Sequence, residues 1–220
     1  YIMKANDLTP IDTLHVGRQV IDVAVSNTGK IFCATADFMA PLEVYRREGL
    51  ERIEGLRTEI PCSIDLRDDN HVIAVTASLE PGTMSFFTLD EAGRMISRKD
   101  NPYDWYNGID AWRMKVSDKF MVMSTHGIVY AADENMTYIA TVSNSSNLAD
   151  FEFSADGATI YSTQTDTKSI LKSTIVNNVA KSETIPTAGY PWVLSRNGNT
   201  LFILSAPEPF SPYLTGDVVT

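Results

Sequence analysis

Phe153-Ser154-Ala155-Asp156-Gly157-Ala158-Thr159-Ile160-Tyr161 reads as the end of one β-strand, a tight turn and the start of the next. The flanking runs are short and apolar, and the turn between them is small and polar. Gly157 supplies the positive φ that such a turn demands. The same pattern returns as Ser26-Asn-Thr-Gly29 and Ser195-Arg-Asn-Gly198. Each copy ends six residues beyond its Gly on Thr35, Thr163 or Leu204. Two degenerate copies, Arg67-Asp-Asp-Asn70 and Val116-Ser-Asp-Lys119, fill the gap between them.

With the first residue of each turn as anchor, the spacings are 41, 49, 38 and 41 residues. A period of this size belongs to a solenoid or a propeller. The local pattern decides between them. A β-type run precedes each anchor: Val20–Val25, Ser63–Leu66, Trp112–Val116, Asp150–Phe153 and Trp192–Leu194. A second follows each turn: Ile31–Thr35, Val72–Thr76, Phe120–Ser124, Thr159–Thr163 and Thr200–Leu204. Third runs are Leu42–Tyr45, Met84–Leu89, Ile128–Ala132, Ser169–Ser173 and Tyr213–Val219. Fourth runs are Leu50–Ile53, Arg94–Ser97, Thr137–Val142 and Ala180–Ile185. No stretch carries a helical period. Four antiparallel strands per unit, repeated radially, make the blade of an all-β propeller.

The expected blades span 20–56, 60–98, 110–142, 149–185 and 190–220. The fifth lacks a fourth strand, and an orphan run, Ile11–Val16, precedes the first. The expectation is five blades, the last completed by residues 11–16, which leaves no free sheet edge. The alternative is a fragment of a six- or seven-bladed ring. The chain begins at Tyr1 rather than Met, which points to a processed or excised form.

Ser-Ala-Asp-Gly followed by Thr159-Ile-Tyr161, and Ser-Asn-Thr-Gly followed by Ile31-Phe32, resemble the YVTN-type and WD40-like propeller repeats. Those carry a Ser-Pro-Asp-Gly turn and then a Leu-Tyr-Val strand. The resemblance covers most of the chain and implies the fold, not a reaction. The turn Pro is missing from every copy, and no Trp-Asp dipeptide closes a blade.

Composition narrows the partners. A formal charge of -10 repels the phosphates of nucleic acid and an anionic lipid surface. No apolar run approaches the roughly 20 residues of a membrane span. Cys33 and Cys62 give neither a disulfide framework nor metal-ligand spacing, and two buried free thiols are the expectation. Asn135-Met-Thr137 and Asn144-Ser-Ser146 match the glycosylation sequon.

In a propeller, loops that enter each blade share an end with loops joining second and third strands. That end is the expected ligand face. Its longest segment runs from Asn101 to Trp112 and carries Tyr103, Trp105, Tyr106 and Trp112. Aromatics beside carboxylates and amides suit a sugar ring or a peptide. The other reading has the segment fold over the channel mouth as a small satellite core. Tyr190 and Trp192 sit at the entry of the fifth blade. Aligned with them are Asp22, Ser63, Trp112, Asp150 and Pro191.

Asp22 and Asp150 have two readings. One is metal ligation or acid–base work with Ca or Mg, joined by Asp110 and by His126 as general base. The other is a hydrogen bond to the backbone of the next blade. Asp68-Asp69-Asn70 has the look of a metal triplet but falls on a hairpin turn, where turn chemistry explains it. The loops holding Phe38, Met39 and Pro41, and Pro207, Pro209, Phe210 and Pro212, read as a contact surface for another domain or as stiffened loops. No nucleophile elbow, phosphate loop or calcium loop is present. The leading expectation is a non-enzymatic, secreted or cell-surface propeller that binds a carbohydrate or protein, alone or as one module of a longer chain. The alternatives are a lactonase- or lyase-like enzyme and a structural spacer of a surface layer or adhesin.

Overall fold

The computed structural model describes residues 1–4, 6–37, 41–56, 61–76, 83–101, 114–117, 121–124, 127–142, 148–164 and 166–209. Their regular structure is entirely strand. β3 (Val20–Val25), β4 (Lys30–Thr35), β5 (Leu42–Arg46) and β6 (Arg52–Leu56) form one antiparallel sheet in chain order. β7 (Pro61–Asp68), β8 (His71–Thr76), β9 (Met84–Leu89) and β10 (Met95–Asp100) form the second. β11 (Met114–Val116), β12 (Met121–Ser124), β13 (Ile128–Ala131) and β14 (Tyr138–Thr141) form the third. β15 (Leu148–Phe153), β16 (Thr159–Gln164), β17 (Ser169–Val176) and β18 (Val179–Pro186) form the fourth. β19 (Tyr190–Asn197) and β20 (Thr200–Ala206) pair as a hairpin.

The repeated turn has a chemical reason. Ser26 Oγ accepts the Lys30 N–H at 2.9 Å, and Ser154 Oγ accepts the Thr159 N–H at 2.9 Å. The Gly29 and Gly157 N–H groups return to the Ser carbonyls. A Ser at the first position thus closes the loop by its side chain, and a Gly at the fourth takes the left-handed φ. The third copy differs. Asn197 pairs directly with Thr200, so Gly198-Asn199 alone makes the turn, and Ser195 is a strand residue opposite Phe202.

The sheets stack face to face, and the second strands of the first two sheets are buried on both sides. β4 is buried at all six positions. Such a strand reads as a continuous apolar run rather than an alternating one. Phe32, Ala34, Leu42 and Val44 of the first sheet meet Ile64, Val72, Ala74 and Phe87 of the second. Ile73, Val75, Met84 and Phe86 meet Met114 and Tyr130. Val129 and Val142 meet Phe151, Phe153 and Ile160. Each fully buried Phe contributes roughly 1.5–3 kcal/mol by leaving water. The outer strand β10 carries mostly exposed positions.

Two sequence expectations shift. Leu50 does not open a strand: it lies at φ +52° after Gly49 at φ +74°, so the turn extends through it and β6 begins at Arg52. The orphan run Ile11–Val16 is a strand only at β2 (Pro10–Asp12), which pairs with β1 (Ile2–Met3). Leu14 and Val16 then lie, with Ile2, on Ile31, Cys33 and Tyr45, the face of the first sheet turned away from the second. The run Tyr213–Val219, to which residues 11–16 were expected to add, lies outside the described residues.

Candidate functional site

Four of the first strands, β3, β7, β15 and β19, carry an irregularity at their entry, whereas the described residues of β11 pair with β12 without one. Register slips by one residue between Val20 and Asp22, Pro61 and Ser63, Leu148 and Phe151, and Pro191 and Val193. A bulge re-aims the side chains around it. Here it accompanies a series of polar latches between sheets. Asp22 Oδ2 accepts the Ile64 N–H at 2.9 Å and the Ser63 hydroxyl at 3.2 Å. Ser63 Oγ accepts the Met114 N–H at 3.1 Å, and Asp65 Oδ2 accepts the Val116 N–H at 2.7 Å. Asp150 Oδ2 accepts the Leu194 N–H at 2.9 Å. Ser63 and Asp65 reach Met114 and Val116 in the same order, so β7 and β11 run side by side in one direction. These residues therefore tie adjacent first strands together.

The loops segregate to two ends. At one, the Ala36 N–H donates to the Gln19 carbonyl at 3.0 Å, Arg18 pairs with Asp37, and the Thr187 N–H donates to the Lys168 carbonyl at 2.8 Å. Strand entries and second-to-third-strand loops thus share that end. At the other, the Arg47 N–H donates to the Gly29 carbonyl at 2.7 Å, which brings the remaining hairpin turns together. Tyr190 and Trp192 stand at the first end, both half-buried. The Lys168 ammonium lies 5.2 Å from the centre of the Tyr190 ring, a cation–π contact. Tyr103, Trp105, Tyr106, Asp110, Trp112 and His126 lie outside the described residues.

No protein-family model matches the sequence, and no curated protein matches it. Solved structures do. The Cps50 (Swd1) β-propeller domain of Myceliophteria thermophila aligns with a TM-score of 0.62 at 9% identity, over 89% of this chain and 64% of that one. YCF48 bound to D1 peptide aligns with a TM-score of 0.63 at 12% identity, over 88% of this chain and 64% of that one. A functionally unknown protein from Desulfotomaculum acetoxidans aligns with a TM-score of 0.67 at 17% identity, over 92% of this chain and 68% of that one. The fold is a β-propeller. The chain spans about two thirds of the length of these propellers.

Within the propeller, the four-stranded sheets are blades and the latches run along the first strands. Asp22 and Asp150 are engaged in them, and Asp150 is almost fully buried. Asp65 joins them without having been singled out in the sequence. Burial pushes its carboxyl above the ordinary carboxylate range, against the Val116 and Leu66 N–H groups that favour the charge. The sequence signal was present: an Asp inside an apolar first-strand run, displaced two residues from the Asp22 alignment.

The Asp68-Asp69-Asn70 turn is occupied by its own contacts. Asp68 accepts the Asn70 N–H at 3.0 Å and meets His71 Nδ1 at 2.6 Å. Burial alone would raise the Asp68 carboxyl, but the Asn70 N–H and the His71 ring outweigh it and hold it below the ordinary value. Asp69 Oδ1 accepts the Asn27 N–H of the first blade's turn at 2.7 Å. Among the described residues no three His, Cys, Asp or Glu side chains gather to hold a metal ion.

Glu43 was also missed. It is buried on the outer face of the first blade, takes the Tyr45 hydroxyl proton in a hydrogen bond, and accepts Arg52 Nε at 3.1 Å. Cys33 is its cross-strand neighbour and a free, buried thiol. Burial, with the Glu43 charge beside it, pushes that thiol up to about 11.

Proposed function

We propose that this propeller is a non-enzymatic binding module that takes a protein partner on the end formed by strand entries and second-to-third-strand loops. The observation that carries the reading is the Tyr190–Trp192 pair, which stands at that end beside Lys168. Aromatic side chains with a polar tip and a neighbouring cation are the groups that dominate protein interfaces. In the sequence, the 103–112 segment precedes the third blade's first strand and carries two Tyr and two Trp. Support for a peptide or protein ligand comes from a propeller of the same fold that was solved bound to D1 peptide.

A carbohydrate is the second ligand class this surface suits, because aromatic faces also stack on sugar rings. The acidic charge and the exposed sequon at Asn135 support an extracellular or cell-surface setting. The engagement of Asp22 and Asp150 in latches weighs against a carboxylate-driven reaction at the channel mouth.

The test is capture from an extracellular proteome alongside a glycan array, with the native chain and with Trp105→Ala, Trp112→Ala and Tyr190→Ala. A protein partner lost in at least two of these variants, with unfolding midpoints unchanged, supports the reading. Capture that survives all three substitutions sinks it, and a glycan signal lost in them moves the ligand to carbohydrate.

A further inference from the structure

A cleft of about 440 Å³ opens at the opposite end of the propeller, between the turns of the first and second blades. Lys30, Arg46 and Arg47 line it, with Ile53 and with the carboxylates Glu48 and Glu91. Three cations on one cleft run against the charge of a chain at -10 overall. They are also held close by the backbone. Lys30 and Arg46 are direct cross-strand partners in the β4–β5 ladder, an arrangement in which like charges repel. Arg47 follows at once, and its N–H is bonded to Gly29.

Lys30 makes the case sharper. The residue is 94% buried, being only 6% exposed. Its Nζ donates to the Asp69 carbonyl at 3.0 Å and to Asn70 Oδ1 at 2.6 Å. Both acceptors are neutral, and among the described residues no carboxylate lies within ion-pair distance of this ammonium. A buried cation that is hydrogen-bonded but not neutralised is costly to keep out of water. An ammonium has three donors, and two are accounted for here. Arg46 and Arg47 are exposed and stand in no ion pair with a described residue.

We infer that this cleft binds a phosphate monoester. A dianion with tetrahedrally disposed oxygens suits a cleft whose lining gathers Lys30, Arg46 and Arg47, because guanidinium forks and an ammonium are the donors that phosphate recognition exploits. A single carboxylate leaves part of that charge unmatched. Ile53 gives the ester's carbon stem an apolar wall. Glu48 and Glu91 repel a longer polyanion, so the cleft selects one phosphate rather than a nucleic-acid backbone. The site is at the far end from the aromatic surface and does not depend on the reading of that surface.

The ester can be a small phosphorylated metabolite or a phosphorylated side chain of a protein. Calorimetry and amide chemical-shift titration with inorganic phosphate, glycerol phosphate and a short phosphoserine peptide separate these sources. All three are expected to shift the amides of residues 28–30 and 46–48, and the tighter of the two esters names the source. Arg46→Gln with Arg47→Gln weakens binding by about tenfold or more, the loss of charge-assisted hydrogen bonds. Glu91→Gln strengthens it. Both arginines are exposed, so the double variant keeps its fold, whereas Lys30→Met would also release the Asp69–Asn70 turn. Saturating phosphate that moves none of these amides, binding indifferent to the double variant, or a preference for citrate over all three probes overturns the assignment.

Discussion

Asp22 Oδ2 accepts the Ile64 N–H at 2.9 Å, so a carboxylate on the first strand of one blade satisfies the backbone of the next. Ile64 is buried and Asp22 is half-buried. Asp150 does the same for Leu194 at the fourth interface. Removing the acceptor leaves a buried donor without a partner, which costs more than the bond itself is worth. Asp22→Ala and Asp150→Ala should each lower unfolding free energy by about 1–3 kcal/mol in urea titrations. Asp22→Asn should recover most of the loss, because its amide oxygen still accepts. A change under about 0.5 kcal/mol in both alanine variants would show that the latches do not hold the blades together.

Asp65 and Asp68 sit three residues apart on β7 and should titrate on opposite sides of the ordinary Asp value of 3.8. Burial raises Asp65, so the folded chain binds its proton more tightly than the unfolded chain. Its carboxylate therefore weakens the fold at neutral pH, and that penalty is relieved as pH falls towards 3.8. Asp68 behaves in the opposite sense. The Asn70 N–H and His71 outweigh its burial, so its stabilising contribution is full above 3.8 and is lost as pH falls through its lower folded value. Carboxyl carbon shifts followed by NMR from pH 7 to pH 2 check the order. An Asp65 midpoint below that of Asp68 would contradict it.

Ser154 and Gly157 show why the fold was legible in the sequence. The turn needs a side chain that closes on its own backbone and a residue tolerant of positive φ, and only a few residue types do either. Such positions recur wherever the turn recurs, and the period exposes the blades. The end of the fifth repeat's turn was less legible, because Asn197 and Thr200 form a tighter hairpin from a sequence that preserves the Ser. The latches were only partly legible. Asp22 and Asp150 align, but β7 reaches across with two residues, Ser63 at the aligned position and Asp65 two positions beyond it, so Asp65 falls outside the alignment. The Lys30–Arg46 pair was not legible at all. Its meaning comes from the β4–β5 register and from burial, neither of which local spacing encodes.

Cys33 offers a reporter for the first blade. Its thiol is buried beside Glu43 and pushed up to about 11, so at pH 8 almost none of it is thiolate. In a Cys62→Ser background, native protein at pH 8 should react with iodoacetamide far more slowly than urea-unfolded protein. Glu43→Gln removes the neighbouring charge and should speed the native reaction. Equal rates in the folded and unfolded chains would place Cys33 at the surface.

Gly189 and Gly29 separate two reasons for a glycine. Gly29 lies at φ +83°, and a Cβ there would meet only the Arg47 Cβ at 3.6 Å. Alanine at that site strains the backbone and little else, at a cost of about 1–2 kcal/mol. Gly189 has no such backbone demand, yet a Cβ there would lie 2.6 Å from the Ala206 carbonyl oxygen. The obstacle is backbone at the end of β20, which cannot rotate aside as a side chain can. Tyr190 pairs with Ala206 in the same ladder, so relief requires the β19–β20 hairpin to splay at the end that carries Tyr190 and Trp192. Gly189→Ala should therefore destabilise by about 1–3 kcal/mol and weaken partner binding at that end. Gly29→Ala should destabilise to a similar degree and leave such binding intact. Thermal unfolding and partner affinity, measured on both variants, test the distinction: Gly189→Ala that keeps native affinity would uncouple the hairpin from the binding surface.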